Sequence, residues 1–244
     1  MQRDRVSYLI AGTPRTGSTL LCGLLQSTGV AGRPESYFRE PDEHLWAHRW
    51  RIPTGADGSF DYRDYVGAAI AAGSTDNGMF GARVMWGTLD ELVTKLRAGH
   101  PHPEGGELEL LTEVFGPLHF CHLRRQDTVA QAVSWARAEQ TSYWHVGDTE
   151  VREPAFDFAQ IHHLVATIEE HNTAWRDWFT ASGIRAHDVT YEQLVADPSG
   201  VIGGILDLLG LAPASIRSPV SDQRRQADEL NADWAERYRV TTGR

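Results

Sequence analysis

Ser7-Tyr8-Leu9-Ile10-Ala11-Gly12-Thr13-Pro14-Arg15-Thr16-Gly17-Ser18-Thr19-Leu20-Leu21 reads as three pieces in succession. Ser7 to Ala11 is an apolar run of strand length. Gly12 to Gly17 breaks it. From Ser18 the residues Leu20, Leu21, Leu24 and Leu25 recur at helical spacing, and the helix is predicted to stop near Thr28-Gly29. A strand that passes through a glycine-bounded loop into a helix aims backbone N–H groups and a helix N-terminus at one point, which is how proteins hold phosphate-sized anions. Gly12 and Gly17 have the G-x-x-x-x-G spacing of such a loop. The Lys that a nucleoside triphosphatase carries after the second glycine is here Ser18. The cation lies inside the loop instead, at Arg15. That suits one phosphate-sized group on the loop with a group in transfer beside it, and Ser18 and Thr19 add hydroxyl donors.

Downstream, short strands alternate with helices. Met79 to Trp86, His119 to Leu123 and Ile184 to Val189 are predicted strands. Asp61–Ala72, Asp90–Ala98, Asp127–Glu139 and Ile202–Leu209 are predicted helices. Phe156 to Phe179 is the longest, with Ile161, Leu164, Val165, Ile168, Trp175 and Trp178 at helical spacing. This alternation predicts an α/β fold, a P-loop-like three-layer arrangement with a mainly parallel central sheet flanked by helices. Ligands in such sheets bind beyond the carboxyl ends of the strands. The 244 residues are expected to form a single domain, 1–244. Residues 30–60, broken by Pro34, Pro41 and Pro53, are predicted to be an irregular substrate-facing flap with a short helix. Residues 219–244 are a polar, Arg-rich tail, with Trp234 and Tyr238 as its anchors.

Composition excludes several classes. Lys+Arg 23 against Asp+Glu 33 leaves a net charge of −10, so a chain that coats nucleic acid is disfavoured. A small anion needs only a few local arginines. No run approaches the length of a membrane span. The N-terminal apolar run is too short for a secretory signal. Cys22 and Cys121 make neither a disulfide framework nor a metal site, and a cytoplasmic setting is expected. The histidines lack metal-ligand spacing.

A second basic position follows the strand at His119–Leu123. Arg125 ends that strand, and Ser134 lies about two turns into the next helix. The two residues could grip one anion together, or Arg124 and Arg125 could be a surface charge pair. Asp127 is placed to cap that helix.

At these residues the chain resembles the PAPS-dependent sulfotransferases (PAPS is 3′-phosphoadenosine 5′-phosphosulfate), and within them the bacterial trehalose 2-sulfotransferase family. The matching stretches run in order: Tyr8-Leu9-Ile10 through Leu21, Thr28 to Gly32, Met85-Trp86, Arg125-x-Asp127 through Gln131-Ala132-Val133-Ser134, Trp175-Arg176-x-Trp178-Phe179, and Arg225-Gln226-Ala227-Asp228 with Trp234 and Arg237-Tyr238. The resemblance implies that Arg15, Thr16, Gly17, Ser18 and Thr19 form the 5′-phosphosulfate loop. It implies that Arg125 and Ser134 hold the 3′-phosphate and that Arg225 closes over the nucleotide. Arg15 would be the catalytic cation. PAPS would be the co-substrate, with no metal, and a homodimer is compatible with the family.

The chain departs from the resemblance at one position. Where the Ala-Gly-x-Pro stretch is expected to carry a Glu as base, this chain has Arg33, which does not deprotonate at working pH. Glu35 is the first candidate to replace it, with Glu40 and His44 as alternatives. Arg33, Tyr37, Phe38 and Trp46 are the expected acceptor contacts, Arg33 suiting an anionic metabolite and Trp46, with Trp50, a sugar. The expected activity is sulfuryl transfer to a hydroxyl of a carbohydrate or other small acceptor. The alternatives are a non-catalytic nucleotide-binding homologue and, disfavoured by the missing lysine, a small-molecule kinase.

Overall fold

The computed structural model describes residues 6–99, 105–142, 153–212 and 229–243. Arg225 and residues 219–228 of the expected tail lie outside the described residues. The elements run β1 (Ser7–Gly12), α1 (Ser18–Ser27), α2 (Glu40–Arg49), α3 (Tyr62–Gly73), β2 (Phe80–Met85), α4 (Trp86–Gly99), α5 (Glu107–Phe115), β3 (Leu118–Arg124), α6 (Thr128–Thr141), α7 (Phe158–Ala181), β4 (His187–Thr190), α8 (Tyr191–Ala196), α9 (Pro198–Leu208) and α10 (Glu229–Thr242).

The four described strands form one parallel sheet in the order β2-β1-β3-β4. Alternation along each strand sorts side chains to two faces. Leu9, Ala11, Ala82, Val84 and Phe120 point to one face, where α3, α4, α5 and α7 contribute Tyr65, Leu89, Leu111 and Trp175. Tyr8, Ile10, Cys121 and Leu123 point to the other, against Leu21 and Leu24 of α1 and Ile202 and Ile205 of α9. A third cluster joins α6, α7 and α10 through Val133, Ile168, Trp234 and Tyr238. Each such buried apolar side chain contributes roughly 1.5–3 kcal/mol. The expected layers are therefore present, and β1 lies inside the sheet with its apolar residues buried on both faces.

Half of the ten described helices start at a side-chain cap. Asp61, Asp127, Asp157 and Asp197 each accept a first-turn N–H of α3, α6, α7 and α9. Thr190 and Gln193 form a capping box on α8. Three helices escaped the sequence reading. α8 is only six residues long. α5 is short, and α10 is polar except for Trp234 and Tyr238, four residues apart and both buried. α4 begins directly at Trp86, earlier than the predicted start at Asp90, and Trp86 itself packs edge-on against Trp175.

The 30–60 region contains the anticipated short helix, α2. Two of its expected acceptor contacts are instead core residues. Tyr37 is 3% exposed and Phe38 0%. Tyr37 donates its hydroxyl to Arg33 O at 2.7 Å and packs edge-on against Trp46, while Phe38 packs on Phe115. Neither ring offers a surface to an acceptor; the packing against α5 claims Phe38, and the tryptophans of α2 claim Tyr37.

Candidate active site

β1 ends at Gly12, whose carbonyl accepts the indole N–H of fully buried Trp175 at 3.0 Å. The chain then turns through Arg15 at φ 65° and Gly17 at φ 81°. A left-handed conformation is costly for a residue with a Cβ, on the order of 1–3 kcal/mol, so something must hold Arg15. Part of the restraint comes from Gln131 of α6. Its buried amide donates to Thr13 Oγ1 and to Pro14 O, both at 2.7 Å. Thr16 Oγ1 closes the loop by donating to Thr13 O at 2.9 Å. Three residues after Gln131, on the same face of α6, Ser134 Oγ accepts from Arg15 Nε at 3.0 Å.

α1 differs from its neighbours at its start. Its N-cap is Gly17, no side chain caps its first turn, and no acidic residue lies in that turn. The orphan N–H groups and the positive end of the helix dipole therefore remain open to an anion. Gly17 is also sterically required, since a Cβ there would lie 2.6 Å from the Tyr191 ring.

The cations follow the carboxyl ends of the strands. Arg83, on β2, pairs in register with Ile10 and so shares the α1 face of the sheet. Its Nη1 donates to Ser18 Oγ at 3.1 Å and Thr19 Oγ1 at 3.0 Å, and its Nε donates to Ser36 Oγ at 2.8 Å. Arg125, just past β3, lies with its guanidinium 4.7 Å from the centre of the Tyr191 ring. Glu192 accepts from Gln126 N and Asp127 N, fixing the turn that carries Arg125. Asp127 caps α6 through Ala130 N, as the sequence implied, and also takes Arg239 on both oxygens at 2.8 Å.

The flap candidates separate. Residues 32–36 run beside β2, where Arg83 N donates to Glu35 O at 2.9 Å. Arg33 is exposed, and its guanidinium donates to Ser74 O, at the base of β2 away from the loop. The structure thus gives no support to Arg33 as an acceptor contact: the bond to the Ser74 carbonyl carries its guanidinium off the site. Glu35 Oε1 accepts from Gln26 Nε2 at 3.1 Å. Gln26 lies two turns along α1 from Ser18, so the bonded carboxylate faces the flank of that helix. Glu40 pairs with Lys95 of α4 at 3.5 Å, and His44 packs on Phe60 at 5.5 Å. Trp46 is half-buried, stacked on Trp50 at 5.2 Å, and donates to Ser36 O at 3.3 Å.

Arg15, Ser18, Thr19 and Ser134 are thus brought together, with Arg125 reaching the loop through Tyr191. The sequence reading missed Gln131, Tyr191 and Glu192 as framework. The identity of α6's neighbours was the missing signal; Gln131 and Ser134 at i, i+3 already shared a face. Among the described residues no group of three or more His, Cys, Asp or Glu side chains is arranged to hold a metal ion.

Comparisons with known proteins place the whole chain in one family. The chain is 32% identical to a trehalose 2-sulfotransferase of Mycolicibacterium smegmatis, over 98% of this chain and 96% of that protein. It is 29% identical to a trehalose 2-sulfotransferase of Mycobacterium tuberculosis, over 100% and 98%. Among solved structures, the sulfotransferase domain from the curacin biosynthetic pathway superposes with a TM-score of 0.50 at 16% identity, covering 93% of this chain and 82% of that one, a likeness of fold. The model of the Stf0 sulphotransferase family matches residues 7–241. With a family match along nearly its whole length, the chain belongs to the Stf0 sulphotransferases and is a sulfotransferase enzyme.

Proposed function

We propose that the enzyme transfers the sulfuryl group of PAPS to a hydroxyl of a carbohydrate or similar small acceptor, releasing adenosine 3′,5′-bisphosphate. The observation that carries this reading is the 3.0 Å bond from Arg15 Nε to Ser134 Oγ. It joins the loop after β1 to the helix after β3, across the point where the chain leaves the sheet in two directions. A nucleotide with anionic groups at two ends fits such a divided site. The 5′-phosphosulfate takes the loop and the open start of α1, with Arg15, Thr16, Gly17, Ser18 and Thr19. The 3′-phosphate takes Arg125 and Ser134, with Arg225 closing from the tail.

In the reaction the acceptor oxygen attacks sulfur in line. The bond from sulfur to the bridging oxygen breaks, and negative charge grows on the departing phosphate. A fixed guanidinium at Arg15 stabilises that charge more in the transition state than in the ground state. The acceptor's proton goes to Glu35, the flap carboxylate whose own carbonyl is bonded to Arg83 N. That assignment requires the carboxylate to leave Gln26 and turn toward the first turn of α1. The relatives' names point to a sugar acceptor, and half-buried Trp46 and Trp50 supply the stacking surface such a ring uses.

Thermal unfolding with adenosine 3′,5′-bisphosphate and with ADP tests the donor reading. The bisphosphate should raise Tm well above the ADP value at equal concentration. Equal shifts would remove the 3′-phosphate assignment. Glu35→Gln should then lower transfer from labelled PAPS to trehalose about 10²-fold or more; undiminished transfer removes Glu35 as base.

A further inference from the structure

Arg83 is a half-buried cation whose bonds go to three hydroxyls and to no carboxylate. Nη1 is donated to Ser18 Oγ and Thr19 Oγ1, and Nε to Ser36 Oγ. Among the described residues its side chain makes no ion pair. In a protein with ten more acidic than basic residues, leaving such a guanidinium without a counter-ion sacrifices an available attraction. A structural arginine at this depth would ordinarily be neutralised, as Arg239 is by Asp127 and Lys95 is by Glu43.

The place it occupies is as informative as its lack of a partner. Ser18 and Thr19 are the first two residues of α1, the helix that starts without a side-chain cap. The Arg83 charge therefore adds to the positive end of that helix from the β2 side, while Arg15 approaches from the loop and bonds toward α6. Ser36 ties the same guanidinium to the flap, one residue from Glu35, whose carbonyl accepts Arg83 N at 2.9 Å. Arg83 thus stands between the anion end of the loop and the segment that carries Glu35, the proposed base.

We propose that Arg83 contacts the sulfuryl group itself. Its guanidinium turns from the α1 hydroxyls to the sulfuryl oxygens when donor binds, and Ser36 keeps it aimed during transfer. Arg15 and Arg83 then flank the breaking bond on opposite sides, Arg15 serving the departing phosphate and Arg83 the group that moves. This assignment rests on the proposed donor. It makes a distinction that nucleotide binding alone does not, because adenosine 3′,5′-bisphosphate has no sulfuryl group.

The test compares the affinities of PAPS and adenosine 3′,5′-bisphosphate by calorimetric titration for the wild-type chain, Arg83→Gln and Arg83→Lys. Gln retains hydrogen bonding to the hydroxyls while removing the charge, and Tm reports whether each variant folds as the parent does. Arg83→Gln should bind PAPS at least 10-fold more weakly and the bisphosphate within about twofold of wild type, with Arg83→Lys intermediate for PAPS. If both nucleotides weaken equally, Arg83 merely props the loop and the assignment falls. If neither changes, it falls as well. Should the wild-type chain bind neither nucleotide, the donor reading itself fails and carries this one down, an outcome distinct from the other two.

Discussion

Ser134 Oγ accepts a hydrogen bond from Arg15 Nε at 3.0 Å, although 119 positions separate the two in the chain. The bond holds the loop cation from the side away from its own helix. Ser134→Ala removes it and weakens the hold on the Arg15 guanidinium. A single charge-assisted bond of this kind is worth about 1.5–3 kcal/mol. The expected result is roughly 10-fold or greater loss of affinity for adenosine 3′,5′-bisphosphate with Tm nearly unchanged. Unchanged affinity in a titration would show that Ser134 touches no nucleotide and orients nothing.

Arg15 itself should matter for rate more than for fold. Its side chain is half-buried and its backbone is strained at φ 65°. On the proposed mechanism Arg15→Ala removes the charge that serves the leaving phosphate, and the loss of one such electrostatic contact is on the order of 10²–10³ in turnover. Stability should change little, because Ala keeps the positive φ. Transfer from labelled PAPS to trehalose, followed alongside a melting curve, separates the two effects; an undiminished rate removes Arg15 from the mechanism.

Gln131 makes its two loop bonds from a fully buried position. Gln131→Leu keeps the volume and strands Thr13 Oγ1 and Pro14 O without their donor. Each stranded group costs about 1–3 kcal/mol. The variant should therefore melt several degrees lower and bind the bisphosphate poorly, since the strained turn at Arg15 loses part of its restraint. A variant that melts lower but binds normally would show that the loop holds its shape alone.

Gly17→Ala meets two obstacles. Its φ of 81° disfavours any Cβ, and the new atom would lie 2.6 Å from the Tyr191 ring. The expected outcome is loss of nucleotide binding of at least 10-fold. Combining it with Tyr191→Ala relieves the contact and leaves the dihedral strain, so binding should return only in part. Full recovery in the double variant would assign the whole effect to the ring.

His122 predicts an acid limb in stability. Its side chain is buried on β3 beside Phe179, and burial pushes its pKa down to about 4 against the opposing pull of Asp188 at 3.3 Å. The folded state therefore holds this imidazole neutral where the unfolded chain, with a pKa of about 6.5, takes up a proton. The associated stability is complete above pH 6.5 and is lost as pH falls toward 4. His122→Phe should flatten the denaturation midpoint across that window. A midpoint with the same pH slope as the parent would place the acid sensitivity elsewhere.

Local pattern alone determined the strand at Ser7, the glycine-bounded loop, the helix from Ser18, the cap at Asp127, and the alternation that makes a parallel sheet. These depend on neighbours in the chain: apolar periodicity, glycine's freedom at positive φ, and side chains short enough to cap. Only the tertiary structure decided which groups meet at the strand ends. Arg83 reaches Ser18 and Thr19 from 64 or 65 positions away because β2 pairs beside β1. Tyr37 and Phe38 enter the core because α5 and α2 fill the space around them, and Arg33 and Glu35 part because the Ser74 carbonyl takes the one and Gln26 of α1 the other. Each of these outcomes depends on strand order and on which face an alternating residue is given, and that choice is made by packing between distant segments rather than by the preferences of any one of them.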